Sequence, residues 1–108
     1  MENCIFCKIV AGELPSTKVY EDDTVLAFLN INPRGPQHTL VIPKEHYRWF
    51  YDIPDELWSK VMVAAKKIAA ELKEKTGNDF VQLSIVGKDV PHVHVHLVPR
   101  MLANAPEL

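Results

Sequence analysis

The apolar residues of this chain recur with two different periods, one typical of a long helix and one typical of strands. The apolar positions that recur at helical spacing are Leu57, Val61, Ala64, Ala65, Ile68 and Leu72. Lysines and glutamates occupy many of the positions between them, so the pattern predicts an amphipathic helix with one buried face. We expect Asp52 to cap this helix, Ile53 and Pro54 to lie in its first turn, and Gly77 to end it.

Shorter segments with the composition or alternation of strands lie on both sides of this helix. The predicted strands are residues 18–21, 24–30, 38–43, 80–86 and 92–98. Asp22 and Asp23 predict a tight hairpin turn between the first two strands. Residues 5–11 are expected to form a short helix that ends before Gly12 and Pro15. The order of elements predicts an α+β fold with a mainly antiparallel five-stranded sheet and one long helix.

The last predicted strand, residues 92–98, has the sequence HVHVHLV and contains three histidines. Since successive strand side chains point to opposite faces, its apolar residues are expected to face the core and its histidines the other side. Pro91 and Pro99 are expected to bound the strand. A row of imidazoles suits metal ligation, phosphate binding or nucleophilic attack near neutral pH, whereas an ordinary polar face more often contains Thr, Lys or Glu. A row used only for metal ligation is an alternative to a catalytic row.

Two further features add candidate site residues. Cys4 and Cys7 have C-x-x-C spacing, and two thiolates suit zinc if two more ligands are supplied, for which His46 and one histidine of the last strand are available. Two inert thiols are the alternative, and a redox pair would leave the histidines unexplained. His38 opens the third predicted strand directly after the loop of residues 32–36, a position typical of functional residues.

Composition limits the classes of protein that this chain can represent. Its 108 residues suffice for a single domain, 1–108, with 47% hydrophobic and 24% charged residues. A net charge of −2 gives no reason to expect nucleic acid or a membrane surface as the main partner. The apolar stretches are too short to span a bilayer and no signal-peptide pattern is found, so a cytoplasmic location is expected.

Several segments together resemble the histidine triad (HIT) superfamily. The run HVHVHLV matches the superfamily's signature, in which three histidines alternate with apolar residues. Other segments resemble it in the same order: CIFCKIVAGELP at residues 4–15, VYEDD at 19–23, LAFLNINP at 26–33 and HTLVIPKEH at 38–46. The resemblance extends over residues 4–100, and it implies a HIT-like domain that forms a homodimer.

The resemblance also implies a reaction. The chain is similar to the nucleoside phosphoramidate hydrolase-like branch, in which purine nucleoside monophosphate conjugates, such as adenosine phosphoramidates, are cleaved. His94 would attack the α-phosphorus and form a nucleotidyl-histidine that water then hydrolyses. His96 and His38 would orient phosphate oxygens and stabilise developing charge. A nucleotidyltransferase or phosphorylase of the same superfamily, or a nucleotide-binding interaction protein with little catalysis, is an alternative.

Metal and nucleotide sites follow from the same resemblance. The implied ligands of a structural zinc ion are Cys4, Cys7, His46 and His92. Four protein ligands leave no position for a reactive water, and no organic cofactor is implied. The positions that resemble a purine pocket are Ile5, Phe6, Phe28, Asn30 and Ile31. Asn30 stands where relatives carry a ribose-binding Asp, and ordinary core packing is the alternative for the two phenylalanines.

The segment before the histidines departs from the pattern. Residues 87–92 read GKDVPH, whereas relatives commonly have G-Q-S/T, two apolar residues and the first histidine. We expect Lys88 to hold phosphate as a point charge. Asp89 would repel phosphate, so it is expected to face away from the site or to bond backbone groups. These differences bear on substrate choice more than on the type of reaction.

Overall fold

The computed structural model describes residues 4–105, which form an antiparallel five-stranded sheet with a helix on each face. The elements in chain order are α1 (Ile5–Val10), β1 (Lys18–Glu21), β2 (Val25–Leu29), β3 (Thr39–Pro43), α2 (Asp55–Thr76), β4 (Phe80–Ile85) and β5 (Val95–Arg100). Single turns of 3₁₀ helix lie at Phe50–Asp52 and Leu102–Asn104. The strand order is β1-β2-β3-β5-β4, so β1 and β4 are the edge strands. The predicted fold class is confirmed.

The strands bury side chains on both faces of the sheet. In β2, Val25 and Ala27 pack beneath α2, whereas Leu26 and Phe28 pack towards α1. The predicted apolar face of α2 is buried at Val61, Ala64, Ala65, Ile68 and Leu72. None of the helices within residues 4–105 combines the length and the apolar character that crossing a membrane requires.

The start of α2 differs from the prediction. Pro54, not Asp52, is the N-cap, no side chain caps the helix, and Asp52 belongs to the preceding 3₁₀ turn. Ile53 is extended, with ψ of 134°, because a residue that precedes proline is sterically excluded from the helical region. Helix α2 therefore begins at Asp55, and the predicted end is confirmed, with Gly77 as a left-handed cap at φ of 70°.

The histidine segment also differs from the prediction. Strand β5 begins at Val95, because the N–H groups of His92 and Val93 bond the carbonyls of Val90 and Tyr47 rather than a neighbouring strand. The strand continues through Pro99, which was expected to end it. Strand β3 pairs with β5 only from Val95 to Leu97, so Pro99 lies where β5 has β4 as its single neighbour.

Candidate active site and adjoining metal-ligand cluster

Four histidines form a continuous buried group beneath α1. Val95 and Leu97 enter the core under α2, as predicted, so His94 and His96 lie on the other face of the sheet. The ring centroids are 4.8 Å apart for His94 and His96 and 5.3 Å apart for His96 and His38. The histidines are not on an exposed polar face: their exposed fractions are 1% for His38, 0% for His92, 4% for His94 and 7% for His96.

Helix α1 provides the cover that strand periodicity alone does not reveal. The ring of Phe6 packs edge-on against His94, with centroids 5.0 Å apart, and against His92 at 6.2 Å. Phe6 also contacts Phe28 at 5.4 Å in a T-shaped arrangement. The buried imidazoles must therefore find hydrogen-bond partners within the protein, and each of them does.

The tautomer of His94 follows from a single contact. Its Nδ1 lies 2.7 Å from the carbonyl oxygen of His92, and a carbonyl can only accept a hydrogen bond, so Nδ1 carries the proton and donates it. In the neutral ring, the lone pair is then on Nε2. A neutral imidazole that is held by the backbone at one nitrogen has a lone pair on the other, and such a ring can act chemically as a nucleophile.

A relay of hydrogen bonds defines the tautomers of His38 and His96. The backbone N–H of Arg34 donates to Nδ1 of His38 at 3.0 Å, which leaves the proton of neutral His38 on Nε2. That Nε2–H donates to Nδ1 of His96 at 3.0 Å, and Nη2 of Arg34 donates to the same nitrogen at 3.1 Å. Neutral His96 therefore carries its proton on Nε2 and is a hydrogen-bond donor to a ligand.

The electrostatic surroundings favour the neutral rings. Burial, with smaller contributions from the positive charges of Arg34 and Arg100, lowers the pKa of His38 to about 4. Burial likewise lowers the pKa of His96 to about 4, with the neighbouring His94 and Arg34 acting in the same direction. For His94, burial lowers the pKa, while the His92 carbonyl and the negative charge of Asp89 oppose the shift. At pH 7 all three rings are neutral.

A second cluster adjoins the row at His92. Nε2 of His92 donates to the carbonyl oxygen of Pro43 at 2.8 Å, so its Nδ1 presents a lone pair. That Nδ1 lies 3.4 Å from Sγ of both Cys4 and Cys7, and Nδ1 of His46 lies 3.1 Å from Sγ of Cys7. The ligand atoms of the cluster all lie within 4.8 Å of one another, and its members are Cys4, Cys7, His46 and His92.

The geometry of this metal-ligand cluster suits a tetrahedral ion. Zinc bonds of about 2.0–2.3 Å to nitrogen and sulfur place neighbouring ligand atoms roughly 3.3–3.8 Å apart, close to the 3.1–3.4 Å of the three nitrogen–sulfur distances given above. Helix α1 sets the spacing, because Sγ of its N-cap Cys4 accepts the N–H of Cys7 at 3.3 Å. Burial raises the pKa of the Cys7 thiol to about 11, and the hydrogen bond with Cys4 adds to this effect. A bound cation would oppose that shift and favour the thiolate.

The residues expected around a purine have mixed surroundings. Phe6 and Phe28 are buried in the core under α1, which is the packing alternative considered for them. Ile31 is 91% exposed and Ile5 is half-exposed, so both offer apolar surface. The side chain of Asn30 accepts the N–H of Asn32 at 2.9 Å.

The segment before His92 lies at the surface. Lys88 and Asp89 are both exposed. The negative charge of Asp89 partly opposes the lowering of the pKa of His94 and of His96 by burial. Arg34 was not among the predicted site residues. The one feature of the sequence that could have pointed to it is its position in the loop four residues before His38.

Comparisons with known proteins agree with this arrangement. The profile of the HIT domain family matches residues 11–102. An uncharacterised HIT-like protein of Methanocaldococcus jannaschii is 47% identical over 102 residues, which cover 90% of this chain and 78% of that protein. An adenosine 5'-monophosphoramidase of Saccharomyces cerevisiae is 43% identical over 98 residues, which cover 90% of this chain and 62% of that protein. The crystal structure of a zinc-bound histidine triad family protein from Mycobacterium smegmatis, 33% identical, superposes with a TM-score of 0.90 over 99% of this chain and 81% of that one. This chain therefore belongs to the HIT family.

Proposed function

We propose that this protein hydrolyses nucleotide conjugates of the adenosine phosphoramidate type through a covalent intermediate on His94. The observation that carries the proposal is the hydrogen bond from Nδ1 of His94 to the carbonyl of His92, which leaves Nε2 free to attack. The 43% identity to the yeast adenosine 5'-monophosphoramidase supports the choice of substrate class.

The reaction proceeds in two displacements at phosphorus. Nε2 of His94 forms a bond to the α-phosphorus as the bond from phosphorus to the amine nitrogen breaks, and the amine leaves after taking a proton from solvent. Water then attacks phosphorus, the bond to Nε2 breaks, the water proton is released, and AMP leaves with His94 neutral again. A covalent intermediate replaces one difficult displacement with two easier ones.

Two neighbours of His94 have different roles in this scheme. His96 donates its Nε2–H to a phosphate oxygen and stabilises the charge that develops in the transition state. Both nitrogens of His38 already bond within the protein, one with Arg34 and one with His96. His38 therefore acts through His96 by holding its tautomer and ring orientation.

The nucleoside is assigned to the surface near α1 and the loop after β2. The exposed side chains of Ile5 and Ile31 contact the base, with Phe6 and Phe28 supporting them from the core. Asn30 binds the ribose hydroxyls, and Lys88 attracts the phosphate as a point charge.

The metal-ligand cluster is assigned to a structural zinc ion. Its donor set of two thiols and two imidazoles is the set that zinc prefers, and zinc is bound in the M. smegmatis relative. When bound, the ion would join the start of α1 to the segment that precedes β5. Since His92 is separated from His94 by one residue, this link holds the carbonyl that orients the nucleophile.

The active form is assigned to a homodimer. Strand β4 is an edge strand, and its Leu83 is exposed, as is Val63 on α2. An edge strand offers backbone groups for pairing with a second copy, and exposed apolar side chains favour such an interface. Analytical ultracentrifugation tests this assignment, and a monomer at micromolar concentration contradicts it.

Turnover of adenosine 5'-phosphoramidate by the wild type and by His94→Ala tests the function. AMP release is followed by chromatography, with Arg48→Gln as a control, because Arg48 lies over the ring of Trp49 and has no part in the scheme. We expect His94→Ala to lose at least about a hundredfold in kcat/KM. Equal rates in the wild type and His94→Ala would contradict the proposal, and AMP binding without turnover would favour a binding protein.

A further inference from the structure

The two cysteines of the metal-ligand cluster are close enough to bond to each other. Cys4 and Cys7 are separated by Ile5 and Phe6, which belong to α1. Helical geometry at these two residues places the Cα atoms of the cysteines roughly 5 Å apart, a separation that a disulfide bridges without backbone movement. Their Sγ atoms lie within 4.8 Å of one another, and each is 3.4 Å from Nδ1 of His92. The sequence contains no third cysteine, so a disulfide within one chain can join only this pair.

The two sulfurs differ in their access to solvent. Cys4 is 2% exposed, whereas Cys7 is half-buried. A small oxidant therefore reaches the sulfur of Cys7 first, and the buried sulfur of Cys4 is the neighbour that can attack the oxidised product. Metal coordination requires thiolates, and the thiolate is also the form of cysteine that reacts with peroxides. An accessible cysteine beside a second one is the arrangement from which oxidation ends in a disulfide.

A disulfide in this place would deprive the ring of His92 of its partners. Nε2 of His92 donates to the carbonyl oxygen of Pro43 at 2.8 Å, so Nδ1 presents a lone pair to the two sulfurs. A metal ion or a thiol S–H satisfies that lone pair, but a disulfide has no proton to donate. Since His92 is 0% exposed, solvent does not compensate for the loss, and an unsatisfied buried acceptor costs free energy. The ring is therefore expected to move when the cysteines are joined.

Movement of His92 bears on the nucleophile proposed above. The carbonyl oxygen of His92 accepts the hydrogen bond from Nδ1 of His94 at 2.7 Å, and this contact selects the tautomer with a lone pair on Nε2. The ring and the carbonyl belong to the same residue, so a ring that turns away from the cysteines also disturbs the carbonyl. The oxidation state of the cysteines is thus connected to His94 through one residue.

We propose that Cys4 and Cys7 form a reversible oxidation site, at which hydrogen peroxide converts the pair to a disulfide, empties the metal-ligand cluster and slows the reaction at His94. This inference rests on the proposed function, since it takes the cluster to hold zinc and His94 to be the nucleophile. The cluster then lacks two of its four ligands, because a disulfide offers no thiolate.

The oxidation balances in two steps. The sulfur of Cys7 attacks one oxygen of hydrogen peroxide, the O–O bond breaks and hydroxide leaves, which gives a sulfenic acid on Cys7. The sulfur of Cys4 then attacks the sulfur of Cys7, the S–O bond breaks and a second hydroxide leaves. Two electrons pass from the sulfurs to the peroxide. A dithiol reductant returns two electrons by thiol–disulfide exchange and regenerates both cysteines.

The test treats the zinc-loaded wild type with a small excess of hydrogen peroxide and follows metal, mass and activity. We expect the bound zinc to be released to a chromogenic indicator. The tryptic peptide of residues 1–8 should then resist alkylation and be two hydrogen atoms lighter than the dithiol form. The kcat/KM for adenosine 5'-phosphoramidate should fall at least about tenfold. Dithiothreitol followed by zinc should restore it to within about twofold of the untreated protein.

Two variants serve as comparisons. Met101 is 44% exposed and is another sulfur that peroxide oxidises, so Met101→Leu should change neither the release of zinc nor the loss of activity. Cys7→Asp keeps a side chain that can bind zinc but cannot form a disulfide, so its zinc content and its own kcat/KM should resist the same treatment. If Cys7→Asp binds zinc too weakly to be loaded, the peptide mass of the wild type still decides whether the disulfide forms.

Several results would overturn the inference. Zinc and thiols that survive the peroxide would do so, as would loss of zinc with sulfinic acids or with a disulfide between two chains in place of the Cys4–Cys7 bond. A Cys4–Cys7 disulfide that releases zinc but leaves kcat/KM within about twofold would show that His94 does not depend on the cluster. The underlying function fails separately, if the reduced, zinc-loaded wild type releases no AMP. Zinc content and peptide mass then still decide whether the oxidation site exists.

Discussion

Nδ1 of His94 lies 2.7 Å from the carbonyl oxygen of His92, two residues earlier in the chain. The same His92 donates from Nε2 to Pro43 and directs Nδ1 to the two cysteines. One residue thus links the metal-ligand cluster, through its side chain, to the orientation of the His94 ring, through its backbone. The cluster and the histidine row are adjacent along the chain, and predictions follow for each.

A nucleotidyl group is expected to accumulate on His94 during turnover. The adduct is expected on Nε2, because this is the nitrogen that the neutral ring presents to the substrate. A phosphorus–nitrogen bond to histidine survives at alkaline pH, so rapid alkaline denaturation should preserve the adduct for mass spectrometry. His94→Asn should carry no label, and His96→Ala should be labelled more slowly because it lacks the Nε2–H donor of the imidazole ring. AMP release without any label in the wild type, or a label that persists in His94→Asn, would contradict the covalent route.

Much of the fold could be predicted from local sequence patterns. The periods of 2 and 3.6 residues located the strands and the buried face of α2, because each element buries one set of side chains wherever it packs. The start of α2 was missed, since the exclusion of Ile53 from helical dihedral angles by Pro54 outweighed the capping tendency of Asp52.

The candidate site was predictable in its members but not in its environment. The pattern of alternating histidines predicted a row on the face opposite the apolar residues, but it did not predict the packing of Phe6 from a distant helix against His92 and His94 on that face. The relay from Arg34 through His38 to His96 joins residues up to 62 positions apart. No local pattern predicts which tautomer such a contact selects, so Arg34 was not identified from the sequence.

The cluster at α1 is expected to bind one zinc ion per chain and to depend on it for stability. Binding couples the start of α1 to His46 and His92, so chelation should lower the free energy of unfolding by several kcal/mol. His46→Gln should abolish stoichiometric binding, measured by plasma mass spectrometry. Tyr47→Phe, which alters only a bond to Glu45, is the matched control. Full zinc content in His46→Gln would show that the ion is held elsewhere.

Replacing Gly35 by alanine is expected to impair both folding and catalysis. An added Cβ would lie 2.7 Å from the Pro99 carbonyl oxygen and 3.0 Å from Cγ1 of Val98, so the loop must shift away from β5, at a cost of about 1–3 kcal/mol. That shift displaces Arg34 and His38. The measurements are chemical unfolding and the kcat/KM for adenosine 5'-phosphoramidate.

Gly77→Ala provides the comparison for Gly35→Ala. Gly77 has φ of 70° but no atom within 4 Å of an added Cβ, so its substitution costs about 1–2 kcal/mol of backbone strain without a steric clash. Gly77→Ala should therefore lose stability and keep its kcat/KM. Equal kinetic effects of the two substitutions would mean that the Gly35 contact does not position the loop.

The two faces of α2 should respond very differently to truncation. Leu72 is 3% exposed in the core against the sheet, and Leu72→Ala should lower the free energy of unfolding by about 2–4 kcal/mol through lost burial and a residual cavity. Val63 is 51% exposed on the same helix, and Val63→Ala should change the free energy of unfolding of the monomer by less than about 1 kcal/mol. Urea unfolding measures both, and similar losses would contradict the assigned orientation of α2.

Stability is expected to fall as the pH is lowered from about 6.5 to about 4. His38 and His96 have pKa values of about 4 in the folded protein, below the ordinary histidine value of about 6.5. Between pH 6.5 and pH 4 the unfolded chain binds more protons than the folded one, so the free energy of unfolding decreases as the pH is lowered. The full contribution of the two neutral rings is present only above about pH 6.5. Each ring contributes on the order of 3 kcal/mol to this change.

Urea unfolding at several pH values, on protein freed of metal so that ligand protonation does not contribute, measures the slope. His38→Gln removes one titrating ring and should make the stability change between pH 6.5 and pH 4 smaller, even if it also lowers stability at pH 7. Lys66→Gln, which removes a positive charge from the exposed face of α2, should leave the slope unchanged within this window. A slope that is the same in His38→Gln as in the wild type would show that His38 titrates normally, and the neutral relay from Arg34 to His96 would then be wrong.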